Sequence, residues 1–77
     1  MYETVKVVRF SDMDEVREFV RAAEDCDFDI DVKYNRTMID AKSLLGMIGL
    51  GIKKNIQVCY GGQNKKFENM VEKYVVA

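Results

Sequence analysis

The 77-residue sequence contains no histidine and no proline, and only two cysteines, Cys26 and Cys59. Without histidine the chain lacks the side chain that most often moves protons or ligates metals near neutral pH, and it can carry no phosphohistidine. Two thiols fall short of the disulfide framework of small secreted domains. A zinc site would have to be assembled from those thiols and carboxylates, so no metal and no cofactor are expected. The absence of proline, of any Ser/Gly-rich linker and of internal repeats points to one uninterrupted domain over residues 1–77. Long apolar runs are missing too. The longest, Leu44 to Ile52, has nine residues, three of them glycine, where a membrane span needs about 20. The opening MYETVKVVRF is interrupted by Glu3, Lys6 and Arg9, unlike the continuous apolar core of a signal peptide. A cytoplasmic protein with no membrane contact is expected.

What the chain does contain is the composition of a folding domain, 48% apolar and 32% charged. The formal charge of −1 hides an asymmetry: residues 1 to 31 carry ten acids and four bases, residues 32 to 77 three acids and eight bases. No cluster interleaves Lys/Arg with aromatics, so no nucleic-acid partner is indicated.

Periodicity orders the chain. Val5 and Val7 alternate with polar neighbours near residues 2 to 9 and predict a first strand with those valines turned inward and Lys6 outward. Ser11, three positions before Asp14, reads as the cap of a helix whose inner stripe is Met13, Val16, Phe19, Val20 and Ala23. From Phe28 the period becomes two: Phe28, Ile30, Val32 and Tyr34 share one face, and Asp29, Asp31 and Lys33 the other. Asn35-Arg36 turns the chain into a short strand over Thr37 to Asp40. Ser43 is the next N-cap, and the helix it opens is apolar nearly all round until Gly51 closes it. Ile56, Val58 and Tyr60 form the last strand, with Gln57 outward. Phe67, Met70, Val71, Tyr74 and Val75 form the inner face of a terminal helix. The order β-α-β-β-α-β-α predicts an α+β open-faced sandwich, a four-stranded antiparallel sheet with three helices on one face.

The stretch Asp40-Ala41-Lys42-Ser43-Leu44-Leu45-Gly46-Met47-Ile48-Gly49-Leu50-Gly51-Ile52-Lys53-Lys54 resembles the regulatory-serine segment of the HPr family, the histidine-containing phosphocarriers of the bacterial sugar phosphotransferase system. The likeness extends back through Phe28-Asp29-Ile30-Asp31-Val32 to Phe19-Val20, and most of residues 4 to 60 can be laid on the family pattern. It implies the HPr-like sandwich. The chain departs at the family's other motif, His-x-Arg-Pro: Asp12 stands where the histidine would be, Asp14 where the arginine would be and Glu15 where the proline would be. Acids around a helix start oppose an incoming phosphate. The family's basic docking positions are also reduced, with Asp14, Arg21, Glu24 and Gly46 in their places. The chain is therefore similar to catabolite-repression HPr paralogues that lack the active histidine.

Two readings of Ser43 stay open. One is a cap worth about 1 kcal/mol; the other, implied by the resemblance, is a regulatory phosphorylation site. Leu44, Leu45 and Ile48 occupy the side of the second helix that the core does not need once Met47 and Leu50 turn inward. They are read as a protein-partner surface, for a serine kinase or transcriptional regulator of the phosphotransferase system, or else as residues packed beneath a loop or in a homodimer. Neither a nucleophile-base pair nor a metal cluster supports an enzyme. A constitutive interaction domain without phosphorylation is the alternative to a regulatory module.

Overall fold

The computed structural model describes residues 2–76. Its elements run β1 (Thr4–Val8), α1 (Met13–Glu24), β2 (Ile30–Tyr34), β3 (Thr37–Asp40), α2 (Leu44–Leu50), β4 (Ile56–Tyr60) and α3 (Lys65–Glu72). The strands form one antiparallel sheet in the order β1-β4-β2-β3. The helices pack on the face made by Val8, Ile30, Val32, Ile56, Val58 and Tyr60, all buried. The expected sandwich is the one observed.

Each helix begins where a short polar side chain satisfies a free N–H. Ser43 Oγ accepts from Gly46 N at 3.1 Å and Asn64 Oδ1 from Phe67 N at 2.9 Å. At α1 the cap is Asp12 and not the expected Ser11: Asp12 Oδ1 accepts from Glu15 N at 2.9 Å, while Ser11 N donates to Glu15 Oε1 at 2.6 Å. The segment Ser-Asp-Met-Asp-Glu offers two frames for a capping box, and the frame that places Glu at the third helical position prevails.

The face assigned to β1 is reversed. Lys6 pairs with Val58 and Val8 with Ile56 across the β1–β4 ladder, so Thr4, Lys6 and Val8 point toward the helices. Val5 and Val7 lie with Cys59 and Gln57 on the open side, and Val5 is 54% exposed. Lys6 tolerates the inner face because its long side chain carries the ammonium out to Glu72 Oε2 at 2.5 Å. On the open side Tyr2 closes over the sheet, its hydroxyl donating to Asp31 Oδ2 and its ring 5.1 Å below Lys33 Nζ. Cys59, which alternates onto this face, is nonetheless buried.

Two further boundaries differ from expectation. Strand β2 starts at Ile30, and Phe28 sits before it, stacked on Tyr60 and pressed on Gly62, where a Cβ would fall 2.1 Å from its ring. α3 ends at Glu72, so Tyr74 and Val75 are not helical. The chain turns there and Val75 bridges Val8 along the outer edge of β1. Phe10, Val8, Cys26 and Ala41 are core residues that the sequence pattern did not mark.

Candidate functional site

Around the start of α1, Phe10 is driven into the core by the aromatic rings that surround it. Its centroid lies 5.2 Å from Phe19 and 5.1 Å from Tyr74. Burying this ring fixes the path of Arg9 to Asp12, and the Phe10 carbonyl accepts from Lys53 N at 2.7 Å. Lys53 takes φ 61° to make that contact. The loop into α1 is thus tied to the exit of α2. Asp12 has extended backbone, φ −150° and ψ 173°, and its carboxylate is engaged as the cap. Asp14 is exposed and meets Arg17 at 3.2 Å. At this helix start Asp12, Asp14 and Glu15 concentrate negative charge where the helix dipole favours it. An additional anion there meets three carboxylates.

At the other end of the α1–α2 pair, Lys42 Nζ donates to the Cys26 carbonyl at 2.9 Å, just beyond α1. Lys42 N donates to Asp40 Oδ1 at 2.9 Å and Ser43 N to the Asp40 carbonyl at 2.9 Å. This turn sets Ser43 in its extended cap conformation, φ −94° and ψ 104°. The two ties make α1 and α2 neighbours running in opposite directions. Ser43 therefore lies toward the end of α1 and Asp12 toward the end of α2; the residues singled out do not converge on one centre. Ser43 Oγ accepts a hydrogen bond from an N–H, so its observed partner is no base that would take its proton.

Between those ends α2 divides its side chains as its spacing predicts. Met47 and Leu50 are buried, while Leu45 is 85%, Leu44 40% and Ile48 39% exposed. Three neighbouring aliphatic side chains in water are what a one-sided helix leaves when nothing covers its outer face. Gly46 allows the inner approach: a Cβ there would lie 2.8 Å from Ile39 Cγ2 and 3.1 Å from Ser43 Oγ. Lys54 closes the helix by donating to the Leu50 carbonyl at 2.6 Å, its ammonium 5.0 Å from the Tyr34 ring. Sequence reasoning missed Gly46 as a steric requirement, and missed Phe10 and Lys53 as the pins of the loop; only an apolar residue isolated in a polar loop hinted at Phe10.

Among the described residues no three metal-ligating side chains converge, and both thiols are buried with their pKa raised by desolvation. A groove between α1 and α3, lined by Arg17, Glu18, Arg21, Lys66, Met70 and Lys73, takes neither Ser43 nor the α2 patch. No described helix is long and apolar enough to cross a membrane.

No curated protein matches the sequence. A family model described as the PTS HPr component phosphorylation site matches residues 13–73. The match starts one residue after Asp12 and runs through α3, whereas the resemblance read from the sequence covered residues 4 to 60; β1 and the loop before α1 fall outside it. With the sandwich topology in place and most of its length matched, the chain belongs to the HPr family of phosphotransferase-system phosphocarrier proteins.

Proposed function

We propose that this protein is a non-catalytic regulatory member of its family, a cytoplasmic one-domain module that binds a protein partner through Leu44, Leu45 and Ile48 of α2, with phosphorylation of Ser43 as its switch. The observation that carries the reading is the exposed aliphatic patch of α2, Leu45 above all, in a chain whose sequence has no histidine to carry phosphate. Ser43 stands immediately before the patch, so a dianionic phosphate on its oxygen would change the charge of the surface that a partner meets. The partner is a serine kinase or a transcriptional regulator of the phosphotransferase system. A second reading, a constitutive interaction domain, draws on the hydrogen bond that already employs Ser43 Oγ as a cap; there the serine is structural only.

Intact-mass measurement tests the proposal. Phosphoenolpyruvate with the general phosphorelay kinase should leave the mass unchanged, and an acid-labile phosphate would contradict the non-catalytic assignment. The family's serine kinase should add one phosphate to wild type and none to Ser43→Ala, a variant expected to lose only about 1 kcal/mol through its missing cap. Leu45→Glu should keep the wild-type Tm, because an exposed substitution usually costs under about 0.5 kcal/mol, yet lose kinase recognition. Wild type left unmodified would favour the constitutive reading, and an unfolded Leu45→Glu would show the patch to be core.

A further inference from the structure

The sheet has two edges, and the chain treats them differently. On the outer side of β1, Arg9 N donates to the Tyr74 carbonyl at 3.0 Å and Val76 N to the Val7 carbonyl at 3.0 Å, bracketing the Val8–Val75 bridge. This strap is anchored by Tyr74, whose ring packs on Phe10 and whose hydroxyl donates to Glu18, and by Lys73, 3.0 Å from the same carboxylate. On the outer side of β3 no described segment pairs.

The chemistry of the two strands accounts for the contrast. Edge strands are protected by shortness, by charge or by a covering segment. β3 has four residues, ends in Asp40 and follows exposed Arg36. β1 reads Thr-Val-Lys-Val-Val, and its one charge, Lys6, is turned inward to Glu72, so it guards nothing at the edge. The strap's own antiparallel pairing shows that the outward groups of Val7 and Arg9 are set to receive an extended strand. An identical strand from a second molecule presents the same groups, and an antiparallel pairing of two such edges closes on itself about a two-fold axis.

We propose that residues 74–76 act as a built-in block on strand addition, holding the chain monomeric by occupying the β1 edge that a second copy would otherwise take. This role is independent of the one assigned to α2. Its test is sedimentation equilibrium on the full chain from micromolar to millimolar concentration. Val76→Pro removes the N–H given to Val7 without opposing extended backbone, and Val75→Gly/Val76→Pro also deletes the bridging side chain. Wild type should stay monomeric, while each variant should dimerise about tenfold more tightly or better. Adding Val5→Lys, which sets like charges on the paired edge, should return them to monomer. Variants that keep native circular dichroism and stay monomeric would overturn the proposal. So would a wild type that dimerises as well as the variants, or a dimer indifferent to Val5→Lys. If the double variant loses its fold, Val76→Pro alone decides between these outcomes, since it gives up one hydrogen bond at the exposed end of the strap.

Discussion

Tyr60 is fully buried, and its hydroxyl finds no hydrogen-bond partner among the described residues. Its ring stacks with Phe28 and meets Phe67 edge-on at 5.4 Å, so the phenyl part does the packing and the oxygen brings a desolvation cost without a return. Tyr60→Phe is accordingly expected to leave the fold unchanged and to raise stability by up to about 1 kcal/mol, as measured by urea unfolding. A loss of stability would mean the hydroxyl has a partner in solution. Individual residues also mark where sequence reading fails. Lys6 disguised the inner face of β1 because a lysine between valines reads as solvent-facing. Its true direction is set by pairing with Val58 and by a carboxylate 66 positions away, neither visible in a local pattern. Phe10 was missed for a related reason: nothing in Arg-Phe-Ser states that a helix and a tail will close over the ring.

Among the elements, α2, like α1, is one whose two sides were legible. Four-residue spacing separated Met47 and Leu50 from Leu44, Leu45 and Ile48, and burial follows that division. What spacing could not show is that its glycines are unequal. At Gly49 a Cβ meets nothing within 4 Å, so Gly49→Ala should gain the helix preference of alanine, about 0.5–1 kcal/mol. At Gly46 the same methyl presses on Ile39 Cγ2 at 2.8 Å and crowds the Ser43 cap. Overpacking of this kind costs about 1–3 kcal/mol and outweighs the propensity gain. Thermal unfolding should therefore move Tm up for Gly49→Ala and down for Gly46→Ala. Equal shifts would show that α2 can slide away from β3. The last helix illustrates the opposite limit: Phe67, Met70 and Val71 announce it, but Tyr74 and Val75 continue the apolar spacing after the helix has ended. Their partners, Phe10 and Val8, are distant in sequence.

For the molecule as a whole, the shifted protonation equilibria point mostly one way. Desolvation raises Cys26, Cys59 and Tyr60, and hydrogen bonding to Asp31 pushes Tyr2 up to about 12. Hydrogen bonding to Glu72 raises Lys6. In each case the folded state keeps a proton that the unfolded chain releases first, near pH 8.5 for thiols and 10 for phenols. The stabilisation is whole below those values and is lost as pH rises toward the folded ones. Glu18 runs the other way, held below the usual carboxylate range by Tyr74 and then Lys73. Its contribution is present above about pH 4.3 and fades as acid is added, and it is small because the group is exposed. Tm should thus hold across neutral pH and fall above about pH 8.5. Thiol labelling by an aromatic disulfide at pH 8 should require urea. A Tm unchanged to pH 10.5, or rapid labelling of the native chain, would contradict the buried thiols.

The cap at Asp12 also bears on which substitutions this sequence can take at the start of α1. Its carboxylate holds the Glu15 N–H, so this side chain is part of how the helix starts. A change from Asp12 to histidine would give up that bond, at a cost of about 1 kcal/mol, and would still face the carboxylates of Asp14 and Glu15. Replacing those acids first would strip the helix start of its favourable charge. Each of these steps is therefore a loss when taken alone. A histidine at this helix start is therefore not reached by single substitutions without a loss of stability at each.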